Sequence, residues 1–398
     1  MLSVADAVRA VIDRVPRLAS ERVPLDQAAG RILAADLVAT RALPGFDNSA
    51  MDGYAARAAD LPGTLPVTGV IAAGQLDVPR LAAGAALRIF TGAPLPAGAD
   101  TVVIQEDAVR DGDRVRLPAS PAGDNLRGIG EDVAIGDIAL PAGTRLTGWD
   151  IGLAAALGVT ALSVARAPRV ALIATGDELV DVATPPRPGQ LVDSSVHALA
   201  ALVREAGGTA EQLGIARDDL GSLADRIAAA ADHDVVITTG GVSVGDRDHV
   251  RDALVAAGIS LELYKVAMKP GKPFSFAMRP GARPAPVFGL PGNPVSTVVA
   301  FELFLRPALL AMQGARVVAR AEVTVRVAGG YRKDAGRAHY LRARVERDGE
   351  RLVATPHPKQ GSAMLSSLVG CNALVVIAAE LTELAPGAAA PAILMEPV

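Results

Sequence analysis

The chain has 398 residues, with 39 basic against 43 acidic side chains, a net charge of −4 and a mean hydropathy of +0.32. That length exceeds one ordinary hydrophobic core and predicts two to four domains, and the charge excludes a dedicated binder of nucleic acid or acidic membrane. The single cysteine, Cys371, excludes an internal disulfide framework and fits a reducing compartment.

Along the chain, Met1–Ala10 reads as an amphipathic helix, since Asp6 and Arg9 interrupt any apolar signal region. The longest apolar stretch, 151–165, contains Gly152 and Gly158 and falls short of the ~20 residues that a membrane span needs. A soluble, cytoplasmic protein is expected. Residues 40–137 hold short strands at 65–71, 86–89, 101–105 and 114–117, broken by Gly, Pro and Asp, which predicts a β-rich insertion. Residues 15–38 and 138–164 flank it and are expected to pair as a small linking domain.

The clearest pattern lies at 167–316. Arg169–Thr175 is a short apolar run between Pro168 and Gly176, as a buried parallel strand should be. Strands are further predicted at 209–216, 234–239, 261–266 and 286–290. Helices are predicted at 194–206 (capped by Asp193 or Ser194), 220–231, 248–257 and 294–312. This alternation means βαβ units and an open, mostly parallel α/β sheet, to which residues 1–14 are also assigned. Residues 317–398, with strands at 322–327, 340–346, 351–355 and 373–377, form a C-terminal β domain.

Five motifs could carry chemistry. In Pro44–Tyr54, Asp47 and Asp52 sit on a Gly-containing loop that could ligate a hard cation or be a solvated turn. Asp177 and Glu178 follow the first parallel strand, where ligands approach, although acidic residues also favour a helix start. Thr238–Asp248 follows a buried strand and runs into a helix. Gly240, Gly241, Ser243 and Gly245 would let backbone N–H groups approach a phosphate, against the alternative of a tight turn with an N-cap. Asp246 and Asp248 there suit a cation between protein and phosphate.

The fourth motif, Lys265–Pro273, holds Lys265, Lys269 and Lys272, three of only five lysines in the chain. They could hold a phosphate or an oxyanion, or be a solvated charge run. The fifth, Gly289–Ser296, has Pro291, Gly292, Asn293 and Pro294 on a stiff loop that opens a helix, which suits either an anion or plain helix initiation. Neither a Walker A loop nor a dinucleotide fingerprint is present, which argues against a NAD-dependent dehydrogenase. His197, His233, His249, His339 and His357 lack metal-ligand spacing, so zinc is not expected. Trp149 is expected to pack, and Cys371 to be a small buried residue.

In order, PGFDNSAMDGYA, TGAPLPAGAD, TGDEL, TGGVSVGDRD, KPGKPF and GLPGNPVS resemble the molybdopterin molybdenumtransferase family, MoeA in bacteria and the C-terminal domain of gephyrin in animals. The resemblance spans nearly the whole chain. It implies four domains: the linking domain (15–38 and 138–164), the insertion (39–137), the α/β domain (1–14 and 165–316) and a β-barrel-like C-terminal domain (317–398). It also implies a homodimer in which the partner's insertion helps to close the site. The implied reaction takes molybdopterin-AMP and molybdate, with Mg²⁺ or another divalent cation, and yields the molybdenum cofactor and AMP.

By motif, the family's functional residues fall on Asp52, Thr91, Asp132, Glu178, Asp218, Asp248, Lys265, Lys269, Pro291, Pro294 and Ser362. The expected division gives the cation to Glu178, Asp218 and Asp248, and molybdate or phosphate to Lys265 and Lys269, with Asp52 positioning water or substrate. The chain departs from the family at Val192 and Ser195, where an aromatic residue and Asn often stand, but keeps Asp193. Transient contacts with an adenylyltransferase and with molybdoenzymes or their chaperones are further implications. The rival readings are molybdopterin adenylylation, the preceding step, and a gephyrin-like scaffold.

Overall fold

The computed structural model describes residues 1–240, 253–255, 258–281 and 283–398. Its centre is a six-stranded sheet made of β1 (Arg169–Thr175), β2 (Thr209–Ala216), β3 (Val235–Thr239), β4 (Ser260–Tyr264), β5 (Ser275–Arg279) and β6 (Ala285–Leu290). The order is β2-β1-β3-β6-β5-β4. The first four in this order run parallel, whereas β5 is antiparallel to both β6 and β4. Strand β1 is buried along its length apart from Arg169, which explains its unbroken apolar run.

Among the described residues, helices α1 (Ser195–Glu205), α2 (Leu220–Ala229) and α3 (Pro294–Met312) flank the sheet. Helix α3 is long and apolar enough to cross a membrane, but 89% of that stretch is buried inside the protein, which makes it the core helix of this domain. It widens to a π turn at Phe301–Leu305, and Phe274 stacks on Phe304 with centroids 4.3 Å apart. The N-terminal helix Val4–Ile12, capped by Ser3, inserts Ala7 and Val11 into the same core.

The short strand Ser20–Pro24 pairs with Ala161–Ala165, and Leu37–Val38 pairs with Ile138–Leu140. These two antiparallel pairings tie the segment before the sheet of residues 53–117 to the segment that follows it. The insertion itself carries a six-stranded sheet. Within the linking segment, Trp149 does not pack as expected. It lies 88% exposed on the first turn of helix Gly148–Ala156, whose buried residue is Ala154.

The C-terminal domain comprises β7 (Glu322–Val327), β8 (Ala338–Asp348), β9 (Arg351–Pro356), β10 (Ala373–Ile377) and β11 (Ala389–Leu394). They pair β8-β9-β7-β11-β10, and β10 returns to β8, so a five-stranded barrel closes around Val325, Leu341, Val345 and Val375. Closure removes the exposed edges that an open sheet of this size would leave. Cys371 is half-buried rather than buried, with its thiol donating to the Ser367 carbonyl at 3.2 Å.

Candidate active site

A cavity of about 880 Å³ opens at the carboxyl ends of the parallel strands, where open α/β sheets bind ligands. Its floor is made by strand ends. Thr175 closes β1 and donates its hydroxyl to the Thr239 carbonyl at 3.1 Å, while the Gly240 N–H donates to the Leu290 carbonyl at 3.0 Å. β1, β3 and β6 are thereby locked together immediately below the opening.

The acidic wall comes from the turns that follow β1 and β2. Asp177 and Glu178 line the cavity together with Asp218. The Glu178 carboxylate folds back over Gly176, where a Cβ would sit 2.6 Å from its Oε2. Glycine at 176 therefore makes room for the carboxylate. Asp218 donates its N–H to Asp177 Oδ1 at 3.3 Å, which joins the two turns. Asp193, buried at 5% exposure, also lines the cavity and accepts the N–H groups of Ser195 and Val196 at 3.0 and 3.3 Å. It thus caps α1. Leu179, Leu191 and Val192 add an apolar flank.

The start of α3 supplies the facing chemistry. Pro291, Gly292, Asn293 and Pro294 line the cavity. No side chain caps this helix: the Asn293 amide instead donates to Ser362 Oγ at 3.1 Å, and Thr297 holds the Pro291 carbonyl at 2.5 Å. Pro294 has no N–H and the Val295 N–H is taken by the Ser362 carbonyl, so what this helix start offers an anion is chiefly its positive potential.

The C-terminal domain roofs the cavity with Ala363 and Leu365. Their loop is held by Arg342, 1% exposed, which donates to Ser367 Oγ at 3.1 Å and to the carbonyls of Lys359 and Gly361 at 3.0 and 3.1 Å. The Ser362 carbonyl also accepts the Val295 N–H at 3.1 Å. The roof is therefore stitched directly to the α3 turn.

Three family models together match most of the chain: the MoeA N-terminal region (domain I and II) over 2–158, the probable molybdopterin binding domain over 171–311, and the MoeA C-terminal region (domain IV) over 324–395. A curated relative from Mycobacterium tuberculosis, molybdopterin molybdenumtransferase 2, is 38% identical, covering 97% of this chain and 98% of the relative. The molybdopterin molybdenumtransferase of a Nostoc species is 41% identical over 79% of this chain and 75% of its own. A solved structure, the molybdopterin biosynthesis MoeA protein of Pyrococcus horikoshii, superposes with a TM-score of 0.86 at 29% identity, covering 99% of this chain and 100% of that one. The chain belongs to the MoeA family.

Of the residues that the MoeA motifs single out, Glu178, Asp218, Gly240, Pro291, Gly292, Asn293 and Pro294 line this cavity together. Ser362 stands next to it as a partner of Asn293 and Val295. Gly241, Ser243, Gly245 and Asp248 lie outside the described residues, and among the described residues no group of three His, Cys, Asp or Glu side chains forms a metal site.

Lys265, Lys269 and Lys272 sit on the loop from β4 to β5, which contributes Pro273 to the cavity wall. This loop lies at the same end of the sheet as the cavity, because β4 runs parallel to β6. Its Met268–Lys269 segment pairs with Ala338 and His339 of the barrel. His339, 5% exposed, is held neutral with its pKa lowered to about 4 by burial and by the nearby charges of Lys269, Lys333 and Arg337.

Asp52, Thr91 and Asp132 do not line the cavity of their own chain. They belong to the insertion, where Asp52 Oδ1 accepts the Thr91 N–H at 2.8 Å and its hydroxyl at 2.7 Å. These two bonds, with Arg88 nearby, keep the carboxyl below its ordinary pKa. Arg88 lies over the rings of Tyr54 and Phe90. The Asp52 loop and the Asp132 turn meet: Ile129 donates its N–H to Asp47, and Asp132 to the Leu43 carbonyl.

The motifs did not single out Arg217, the roof residues Ala363 and Leu365, or Arg342. Arg217 carries a signal only through its place beside Asp218; the roof residues are local apolar positions whose placement depends on the barrel.

Proposed function

We propose that the chain performs the metal-insertion step of molybdenum cofactor synthesis, taking molybdate and adenylylated molybdopterin and releasing AMP. The observation that carries this is the cavity itself. It sets carboxylates beside an uncapped helix start, under a barrel roof, in a chain that matches named molybdenumtransferases along its length. Those relatives share the insertion and the barrel, so neither adenylylation nor a pure scaffold is favoured.

A dianionic oxyanion and a pyrophosphate cannot enter an acidic cavity unaided. The positive end of helix α3 attracts one anion, and the lysine loop offers Lys265 and Lys269 to another. Mg²⁺ typically takes one or two carboxylates, with water and substrate phosphate completing its shell. Glu178 and Asp218 meet that requirement, and Asp248 is the third candidate ligand. When bound, the cation supplies charge neutralisation and polarisation of the phosphoryl oxygens. The chain's own residues orient the substrate over the Gly240 turn, and the Ala363–Leu365 roof excludes water.

The reading includes a homodimer. Phe46, Met51, Phe90 and Ile129 stand 51%, 42%, 38% and 60% exposed around the loop that bears Asp52, an apolar surface suited to a second copy. In such a dimer Asp52, Thr91 and Asp132 would complete the partner's cavity.

The test is molybdate-dependent AMP release from purified molybdopterin-AMP with Mg²⁺, for wild type, Asp218→Asn and Lys269→Ala. Release that requires molybdate and falls by about two orders of magnitude or more in both variants is the expected outcome. Folded wild-type protein that releases no AMP under these conditions overturns the reading.

A further inference from the structure

Arg217 is a cavity residue that has no part in the reaction as assigned above. Among the described residues it is the single cationic side chain lining a cavity that also presents Asp177, Glu178, Asp193 and Asp218. Its backbone is fixed. The Arg217 N–H donates to Ser222 Oγ at 3.0 Å, and the Ser222 N–H donates to Asp219 Oδ1, the cap of α2, at 2.8 Å.

Its head group is loosely held. Nη1 lies 3.5 Å from the Asp177 carbonyl and 4.0 Å from Asp177 Oδ1, with the two side chains 65% and 67% exposed. Long, solvated pairs of this kind contribute little, so another anion can take the guanidinium at small cost. Asp177 is not orphaned by the exchange, since the Asp218 N–H still donates to it at 3.3 Å.

We propose that Arg217 is a specificity-determining residue of this cavity that leaves Asp177 and grips a phosphate of the substrate's nucleotide end. The inference rests on the metal-insertion reading and adds the residue that selects for the phosphate. A planar guanidinium presents paired N–H donors that match two phosphate oxygens. Without it, a phosphate entering on this side meets the carboxylates of Asp177 and Asp218 with no other cationic side chain among the described residues lining the cavity.

The probe is AMP, with adenosine as the control that lacks phosphate, each titrated calorimetrically into the full chain without divalent cation. Circular dichroism verifies folding of Arg217→Ala and Arg217→Lys. The expected result is an AMP affinity about tenfold weaker in Arg217→Ala, partly restored in Arg217→Lys, with adenosine binding unchanged. Equal AMP affinity in wild type and Arg217→Ala, or an equal loss for adenosine, overturns the proposal and leaves Arg217 as a solvated surface arginine. Because AMP release by wild type is measured separately, either result can stand with an active enzyme and then counts against the role of Arg217 alone. A wild type that neither binds AMP nor releases it overturns this proposal and the metal-insertion reading together.

Discussion

Gly240→Ala tests whether the floor of the cavity is as rigid as its hydrogen bonds imply. Gly240 follows β3 at φ +86°, in the left-handed region that alanine enters only at a cost of about 1–2 kcal/mol. The added methyl would lie 2.6 Å from the Thr175 carbonyl oxygen and 2.8 Å from its hydroxyl. Thr175 cannot withdraw easily: its strand is paired on both sides, and its hydroxyl is tied to Thr239. Relieving that overlap adds about 1–3 kcal/mol, so the total is about 2–5 kcal/mol. Urea unfolding followed by circular dichroism should show a lower midpoint. Because Thr175 and Gly240 both line the cavity, AMP affinity should fall by about tenfold as β1 and β3 part. A variant that unfolds at the wild-type midpoint and binds AMP equally well would refute this account of the floor.

Glu302→Ala should loosen the joint between the α/β domain and the barrel. Glu302, 3% exposed in the π turn of α3, holds Arg320 through two bonds of 2.8 and 3.1 Å, and Arg306 lies close enough for its pKa to be lowered by burial and by Arg320. Removing the carboxylate leaves the partly buried cations Arg306 and Arg320 without it, a loss of about 2–4 kcal/mol, whereas Glu302→Met with Arg320→Met should cost much less. Urea midpoints of the two variants check this, and equal losses would sink it. His339 predicts an acid weakness. Its pKa is ordinarily 6.5 and is lowered to about 4 in the fold, so between those values the unfolded chain binds more protons. Stability should therefore fall as pH drops from about 6.5 to about 4, by about 3 kcal/mol from this group. Burial sets most of that value, the charges of Lys269, Lys333 and Arg337 lower it further, and Asp334 opposes them. His339→Gln should flatten the slope in urea titrations across that range, and an unchanged slope would refute the assignment.

Much of the α/β domain was legible because its strands are buried on both faces and stand between breakers. The run between Pro168 and Gly176 became β1 with the same ends, and 209–216 became β2. Strand β5 was missed. Pro273 and Pro280 bracket Ser275–Arg279 so closely that the segment reads as loop, and its strand character comes from pairing with β4 and β6. Barrel closure is likewise a long-range fact: the parallel pairing of Arg326 and Val327 with Val353 and Ala354 leaves no local periodicity to read. Among site residues, Glu178 was legible because ligands approach strand ends in an open sheet, whereas Asp218 came only through the family resemblance. Asp193 was legible as a cap but not as a cavity wall, since that depends on which way the capping turn faces. Trp149 was misjudged because apolar character alone does not say which side of a helix turn meets the core.

The placement of the charges explains why several domains are needed for one cavity. The acidic wall comes from turns after β1 and β2, and the helix amides from the turn after β6, all within the sheet domain. Carboxylates packed tightly against the helix start would be held by it and lose affinity for a cation. The sheet keeps the acidic turns and the α3 start on separate strand ends, and Asn293 is drawn toward Ser362 of the roof instead of capping its own helix. The barrel therefore does more than cover the cavity. By engaging the side chain that would otherwise cap the helix, it leaves the Ser296 amide uncapped, while its Ser362 carbonyl takes the Val295 N–H. Ser362→Ala should then release Asn293 to cap α3 and compete with the anion. The expected result is a weaker AMP affinity, by a few-fold, with helix stability unchanged or slightly raised. An unchanged AMP affinity in that variant would show that the amides at the α3 start do not take part in binding.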